Sequence, residues 1–508
     1  MHIVTILAYA CLFWRATAPN GGSKPAAFSP TLTLLLAIGL PFSLWLASSA
    51  VAHRGQRLLQ HRAPGRGPGP EQFYHRAFFA LRIALIGGFV GLLVLTPWLE
   101  WFRFGEVTPW LQIVGDLLAL LPFFLGGVAI WLGSFSVERT IRMLGRRALG
   151  LCSAAAEWSL RSYLDFNIRH HLLVVAVPMT LILFAADVAY GYERALRSAT
   201  DWVWTPDVLV GAAAGAVFLI SPVILRRIWR TETLADGPLR GRLQALCGRI
   251  GLRVRDILVW QSDGLMINAA VMGVFPQIRY VLLSDALLST MTPQQVEAVF
   301  GHEAGHVRHH HIPHFLTFAL IGWMGTAAGM ELLAGAVSWA SADPGRWILE
   351  IQAAGVVATL LFWGIGFGWL SRRFERQADV FAAQCAAPPP DECRQPCSLH
   401  LAGRSEDHRV GRVCSTGAMV FASALESVAV LSGIPPEEPS WRHSSIASRV
   451  RFLLSLANDP SRALRFDRLI RRIKALMVIT ALVGGAGSAY YWLTVPRPAL
   501  LHIQARSR

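Results

Sequence analysis

Residues 301–306 read Gly-His-Glu-Ala-Gly-His, an H-E-x-x-H pattern within a stretch that favours an α-helix. Positions i and i+4 of a helix share one face, so the imidazoles of His302 and His306 can reach a single metal ion. Zinc suits imidazole nitrogen, and Glu303 can take a proton from a water molecule at the metal. The stretch therefore predicts half of a zinc site on one helix.

The residues before the pattern predict where this helix begins. Thr292 can cap it, Pro293 suits the first helical position, and Gln295 stands where a capping box needs it. We therefore expect a regular helix through the motif.

The composition is typical of a membrane protein. Of the 508 residues, 53% are hydrophobic and only 16% are charged, and the mean hydropathy is +0.42. A soluble chain usually carries about 25% charged residues. The formal net charge is +15, but no basic patch with interleaved aromatic residues stands out, so we expect no nucleic-acid partner.

Several apolar segments are long enough to cross a lipid bilayer, whose core needs roughly 20 helical residues. They are residues 31–52, 77–99, 113–133, 171–190, 207–225, 313–340, 347–370 and 473–494. We therefore expect an integral membrane protein whose H-E-x-x-H motif lies between the fifth and sixth spans.

Arginine is concentrated in alternate loops between these spans. The Arg-rich loops are 53–76, 134–170 and the residues after 225 and after 370. By the positive-inside rule this side is cytoplasmic, and the H-E-x-x-H segment lies on it. The only lysines are Lys24 and Lys474, a preference that favours a GC-rich bacterial genome. We therefore expect the bacterial inner membrane, with the site on its cytoplasmic side.

The pattern of spans divides the chain into five segments. They are an N-terminal membrane region (1–225), a first non-membrane part (226–312), two transmembrane helices (313–370), a second non-membrane part (371–472) and a C-terminal span with its tail (473–508). Within the first non-membrane part we expect a helix at 239–250, a strand at 257–260, and a hairpin of 265–272 and 278–283 around the turn 273–277.

A third metal ligand is available beyond the sixth and seventh spans. Glu375 and Asp379 stand four residues apart and so share a helix face. We expect Glu375 to bind zinc and Asp379 to accept a hydrogen bond from a ligand histidine.

The segment after this helix contains a Pro- and Cys-rich insert at 386–414. Four cysteines lie in or directly before it, Cys385, Cys393, Cys397 and Cys414, alongside His400 and His408. Their spacing matches no standard zinc pattern, and disulfides are rare in the cytosol. A small metal site and a pair of disulfides both remain open.

Together the motifs resemble the integral-membrane zinc peptidases that include the type I CAAX prenyl endopeptidase and the HtpX heat-shock protease. The resemblance rests on Asn268-Ala269 with 279–288, on 299–306, on 375–379, and on His443-Ser444-Ser445 with Arg449-Val450. It implies a mainly α, multi-span helical membrane protein with a gluzincin-type zinc peptidase domain that contains a small β-hairpin or sheet. The spans before and within the motif region match the prenyl endopeptidase plan better than the shorter heat-shock plan.

The resemblance implies a role for each matching residue. His302, His306 and Glu375 would hold one zinc ion, and Glu303 would be the general base. Asn268 would lie on an edge strand that holds an extended peptide.

Three further expectations concern residues after the zinc motif. The resemblance implies that His443 stabilises the oxyanion or donates a proton. We interpret Arg449 as part of a structural ion pair. We interpret the remaining histidines near the motif as interfacial: His309, His310, His311 and His314.

The sequence leaves the biological role open between several classes. The leading one is a membrane zinc endopeptidase that acts on peptide or protein substrates, including membrane-associated ones, either in CAAX-type processing or in quality control of membrane proteins. A signalling receptor with a protease domain and a non-enzymatic transporter or scaffold are the alternatives from other classes.

Overall fold

Helices make up most of the structure, a computed structural model of the chain. It describes residues 1–17, 28–60, 70–104, 108–148, 159–202, 205–264, 266–341, 343–388, 393, 413–432, 435–438 and 443–494. The chain divides into two compact units. The first comprises Met1–Glu232 with Trp260–Gly264, and the second comprises Thr233–Val259 with Leu265–Arg508. The five-segment division remains a prediction.

The first unit consists of long apolar helices and three short helices of eight residues each. They are α1 (His2–Thr17), α2 (Pro30–Gln60), α3 (Pro70–Leu95), α4 (Gln112–Ala119), α5 (Leu121–Ala148), α6 (Leu160–Asn167), α7 (Val174–Gly191), α8 (Glu193–Thr200) and α9 (Thr205–Ile228). Large apolar side chains such as Ile38 and Phe79 stay more than half exposed on them. Such exposure suits helices whose backbone bonds are satisfied internally and whose side chains face lipid.

Seven helical stretches in the described part of the chain are long and apolar enough to cross a membrane. They are Pro30–Leu59, Arg76–Leu95, Pro109–Ile141, Leu160–Gly191, Thr205–Ile228, His311–Ala340 and Gly345–Cys385. The expectation of a mainly α, multi-span membrane protein is confirmed. The expected span 473–494 lies within the C-terminal helix described below and remains a prediction.

The second unit contains the motif-bearing helices. They are α10 (Pro238–Ile250), α11 (Asp285–Thr290), α12 (Pro293–Arg308), α13 (His311–Ala340), α14 (Ile348–Leu361), α15 (Gly368–Cys385), α16 (Ser415–Ser432), α17 (Ile446–Asn458) and α18 (Pro460–Thr494). The capping box expected at the start of α12 is confirmed: Thr292 Oγ1 accepts from Gln295 N at 3.3 Å, and Gln295 Oε1 accepts from Thr292 N at 3.1 Å.

A small sheet stands beside the H-E-x-x-H helix. Its strands are β1 (Thr231–Thr233), β2 (Asp256–Trp260), β3 (Ala269–Met272) and β4 (Tyr280–Ser284), in the order β1-β2-β4-β3. β3 pairs antiparallel with β4, with Ala269 opposite Leu283 and Met272 opposite Tyr280. The expected hairpin is present, with a shorter first strand. Gly273 ends that strand at φ +100°, where a Cβ atom would lie 2.3 Å from a backbone oxygen.

Two glycines bring α12 close to α15. A Cβ atom on Gly301 would lie 2.8 Å from the Cβ atom of Cys385, and one on Gly305 would lie 3.1 Å from the Cα atom of Ala378. Only glycine permits this approach, because any side chain would push the two helix backbones apart. The close packing carries the histidine face of α12 to the carboxylate face of α15.

The helical stretch that ends with α15 is longer than a membrane span. The stretch Gly345–Cys385 has 41 residues, about 60 Å of helix against a bilayer core of about 30 Å. Its first half exposes apolar residues such as Val356 and Leu360, whereas Phe374 and Ala378 in its second half are fully buried. The end that bears Glu375 therefore packs against protein rather than lipid.

Most of the insert lies outside the described residues, including Cys397, His400 and His408. Cys393 Sγ and Cys414 Sγ lie 3.6 Å apart. The choice between a metal site and disulfides therefore stays open.

Candidate metal centre

Three side chains from two helices converge on one point. His302 Nε2 lies 3.3 Å from His306 Nε2, and Glu375 oxygens lie 3.5 Å and 3.7 Å from these two nitrogens. Ligand atoms about 2.0–2.1 Å from a tetrahedral zinc ion are about 3.3–3.4 Å apart, so the spacing fits zinc closely. Among the described residues, this is the group of histidine, cysteine and carboxylate side chains that could hold a metal ion. The donor set of two imidazoles and a carboxylate suits zinc.

Glu303 follows the first of these histidines and faces the edge strand. Its carboxylate accepts a hydrogen bond from the backbone N–H of Val271 in β3, and burial raises the pKa of the carboxyl to about 7. A carboxyl with such a pKa can take up and release a proton near neutral pH. The position therefore combines the chemistry of a general base with contact to an open strand.

Asp379 holds the other side of His302. Its Oδ1 lies 2.9 Å from His302 Nδ1, and the carboxylate receives a two-point contact from Arg449, with Nε at 2.8 Å and the terminal nitrogen at 2.5 Å. Asp379 is fully buried. The guanidinium thus balances a carboxylate that in turn orients the imidazole, so that Nε2 points towards the metal position.

The charges around the two histidines differ. Burial alone would lower the pKa of His302, but hydrogen bonds to Asp379 and Glu375 raise it to about 10. Burial, together with the nearby charge on His302, lowers the pKa of His306 to about 4. Without metal, the imidazole of His302 is therefore protonated on both nitrogens, and a metal ion must displace the proton on Nε2.

His443 joins the centre from the segment before α17. Its Nδ1 lies 3.0 Å from Glu375 Oε2, and its side chain is 43% exposed whereas that of Glu375 is 8% exposed. The imidazole therefore spans from a metal-ligand carboxylate to the open side of the centre. Proximity in the chain gives no hint of this, because 68 residues separate the two positions.

Asn268 lies at the start of the edge strand rather than among the metal ligands. Its carbonyl oxygen accepts from Ser284 N at 3.0 Å, and its side-chain oxygen accepts from the N–H of Ala269 at 3.0 Å. The residue itself is exposed. These contacts fix the end of β3 next to β4 and leave the side-chain amide nitrogen 3.9 Å from Met266 Sδ.

The expectation that His311 is interfacial is wrong. Its side chain is fully buried and its Nδ1 lies 2.9 Å from Nδ1 of His306. The reason is the connection between α12 and α13, in which His310 adopts a left-handed conformation with φ 55° and ψ 41°. That turn carries the next residue back over the end of α12. Two further residues near the centre had no sequence signal, Gln377 and Lys474.

Residues 239–457 match the family described as Peptidase family M48. The chain carries an M48 metallopeptidase domain. Peptidases of this family depend on zinc, and the three converging side chains lie within the matched segment. An enzyme is therefore confirmed, and its substrates are peptides or proteins.

Curated relatives of the chain bear two kinds of name. "Protease HtpX homolog" of Aeropyrum pernix is 26% identical over 289 residues, which cover 51% of this chain and 88% of the relative. "Protease HtpX homolog" of Acidovorax ebreus is 26% identical over 230 residues, 39% of this chain and 76% of the relative. "CAAX prenyl protease 1" of Saccharomyces cerevisiae is 26% identical over 123 residues, 24% of this chain and 27% of the relative.

A solved structure also aligns with the chain. It is the crystal structure of S. mikatae Ste24p, which has a TM-score of 0.46 and 16% sequence identity, and the alignment covers 84% of this chain and 100% of that one.

Proposed function

We propose that the protein is a membrane-embedded, zinc-dependent endopeptidase in which His302, His306 and Glu375 hold one zinc ion and Glu303 is the general base. The observation that carries the proposal is the convergence of the three side chains: the two Nε2 atoms lie 3.3 Å apart, and each lies 3.5 Å or 3.7 Å from one of the two Glu375 oxygens, close to the edge length of a tetrahedral zinc site. The fourth corner of such a site remains for water or substrate.

In this proposal zinc supplies Lewis-acid activation of water and of the substrate carbonyl. Glu303 takes the proton of the attacking water and returns it to the leaving amine, which suits a carboxyl whose pKa is raised to about 7. Asp379 keeps Nδ1 of His302 protonated, so that its Nε2 can act as ligand.

Two residues are proposed to handle the substrate. The Nε2 atom of His443 is assigned to the oxyanion of the tetrahedral intermediate, because Nδ1 of the ring is turned to Glu375. An extended peptide is proposed to add to the edge strand β3, next to Glu303, with Asn268 at the end of that strand. Such pairing would hold the scissile bond beside the base.

A pair of variants on α12 tests the proposal. Glu303→Gln should keep one zinc ion per chain and lose cleavage of a quenched fluorescent peptide. Glu297→Gln removes a carboxylate from the same helix, where it contacts Arg242, and should leave both zinc content and cleavage unchanged. Equal cleavage by wild type and Glu303→Gln would refute the role of the base, and a wild type without zinc would refute the ligands.

We further propose that the centre lies at the cytoplasmic face of a bacterial inner membrane. The order of the candidate spans along the chain and the positions of the Arg-rich loops support this proposal, because residues 229–310 and the end of α15 would then lie on the Arg-rich side. Substrates are proposed to be CAAX-protease-like or, as the alternative, membrane proteins handled as by an HtpX-type protease. Cleavage of a peptide only when it carries a prenyl group would favour the first, and equal cleavage without the lipid would favour the second.

A further inference from the structure

His311 is the buried first residue of α13, and it touches a proposed zinc ligand. Its Nδ1 lies 2.9 Å from His306 Nδ1, and its Nε2 lies 3.0 Å from Gln377 Oε1. Its ring stacks on Phe374, with centroids 4.4 Å apart and an angle of 7° between the planes. Packing therefore fixes the plane of the imidazole, and both of its nitrogens face a polar partner.

Lys474 of α18 stands at the far end of this contact. Its Nζ lies 3.0 Å from Gln377 Oε1 and 2.7 Å from the carbonyl oxygen of His309. An ammonium group has donors and no acceptor, so the atom of Gln377 that it meets must be the amide oxygen. That same oxygen must then also accept from Nε2–H of His311.

The direction of donation passes on to His306. A neutral imidazole with its proton on Nε2 can only accept a hydrogen bond at Nδ1. Nδ1 of His311 therefore accepts the hydrogen bond that Nδ1–H of His306 donates. His306 then keeps a lone pair on Nε2, the atom that lies 3.3 Å from His302 Nε2. A doubly protonated His311 would set a buried cation one hydrogen-bond partner away from the half-buried Lys474, which is costly.

We propose that Lys474, Gln377 and His311 are positioning residues that form a directed hydrogen-bond chain. The chain sets the tautomer and ring orientation of His306, and it ties the metal centre to the C-terminal helix α18. The inference rests on the proposed zinc site. It predicts that zinc affinity depends on which atom of each contact donates the hydrogen bond and which accepts it, and not only on how the side chains pack.

Matched variants of the central link test this point. Gln377→Leu keeps similar volume but offers no acceptor, whereas Gln377→Glu is an acceptor only and preserves the direction of donation. We expect the Leu variant to bind zinc about 10- to 100-fold more weakly in chelator competition. We expect the Glu variant to stay within about threefold of wild type, because a carboxylate serves His311 and Lys474 equally well.

Two histidine variants on α13 complete the test. His311→Phe preserves the stack on Phe374 but removes the acceptor, and it should weaken zinc binding like Gln377→Leu. His314→Phe is the control, because that ring has its hydrogen bond with the carbonyl oxygen of His310, the residue before α13, and has none with His311, Gln377 or Lys474 in the chain. The visible spectrum of the cobalt-substituted protein should change in His311→Phe and Gln377→Leu, and it should match wild type in Gln377→Glu and His314→Phe.

The outcomes separate this inference from the proposed function. Wild type that binds zinc and cleaves peptide, with His311→Phe and Gln377→Leu equal to it in zinc affinity and cobalt spectrum, would overturn the directed chain alone. Loss of zinc affinity in Gln377→Glu as large as in Gln377→Leu would also overturn it. A wild type without zinc would overturn the proposed function and the chain together.

Discussion

Replacement of Arg449 by methionine should destabilise the protein and weaken metal binding together. The guanidinium makes a two-point contact with Asp379, at 2.8 Å and 2.5 Å, and also lies 3.9 Å from Glu375 Oε2. Burial would lower the pKa of Arg449, but the ion pair with Asp379 raises it above its usual range. Methionine fills most of the space but removes the charge, so Asp379 loses the cation that makes its two-point contact.

The expected cost follows from the burial of the pair. Asp379 is 0% exposed and Arg449 is 8% exposed, and the loss of one partner from a buried ion pair costs about 3–5 kcal/mol. For a domain of 150–250 residues, each kcal/mol lowers Tm by about 2–4 °C, so Tm should fall by about 6–20 °C. Zinc affinity should fall too, because an Asp379 that moves no longer orients His302.

Thermal unfolding of the purified protein measures the effect, with Arg451→Met as the control. Arg451 stands two positions later on α17 and pairs with Glu437, but both side chains are about 70% exposed, so its loss should leave Tm unchanged. In a double-mutant cycle, Arg449→Met with Asp379→Asn should be less destabilised than the sum of the single variants. Strict additivity, or an Arg449→Met protein with the Tm of wild type, would refute the reasoning.

Three further outcomes are expected. Gly301→Ala should weaken zinc binding and lower Tm, because its Cβ would lie 2.8 Å from that of Cys385 and overpacking costs about 1–3 kcal/mol. Its control is Gly248→Ala on α10, whose Cβ meets no atom within 4 Å and which should not destabilise the protein. Calorimetry in buffers of different ionisation enthalpy should detect at least one proton released per zinc bound at about pH 8.5, since the pKa of His302 without metal is about 10 and a zinc-bound water, with a pKa of about 7, would release a second. A release of none would contradict the assignment. A cytoplasmic reporter fused near residue 240 should be active, and an active periplasmic reporter there would overturn the topology.

Local periodicity explains which features could be read from the sequence. The capping box at Thr292, the helix through His302 and His306, and the helix that pairs Glu375 with Asp379 all follow from spacings of three or four residues. Apolar length likewise predicted the spans, because a bilayer demands a minimum run of helix. These rules apply within one segment of the sequence and do not require knowledge of which helices and strands pack against each other.

Contacts between distant segments could not be read in this way. Arg449 reaches Asp379 across 70 residues, and His443 reaches Glu375 across 68. Without the resemblance to a family, both would have looked like ordinary charged or polar residues near a helix start. Which helices approach depends on the glycines of α12 and on the cores on both sides of it, and neither is encoded in a local period.

His311 shows how one backbone torsion reverses an interpretation. By helical spacing alone, a residue five positions after His306 lies off its face by more than a quarter turn. The left-handed His310 ends that periodicity: α12 stops at Arg308, the chain turns, and α13 starts with His311 above the end of the preceding helix. A non-glycine residue in this conformation costs free energy, so the conformation persists only where the surrounding contacts offset that cost. Here the offset comes from the contacts that follow the turn, namely the Phe374 stack and the two hydrogen bonds of the buried ring.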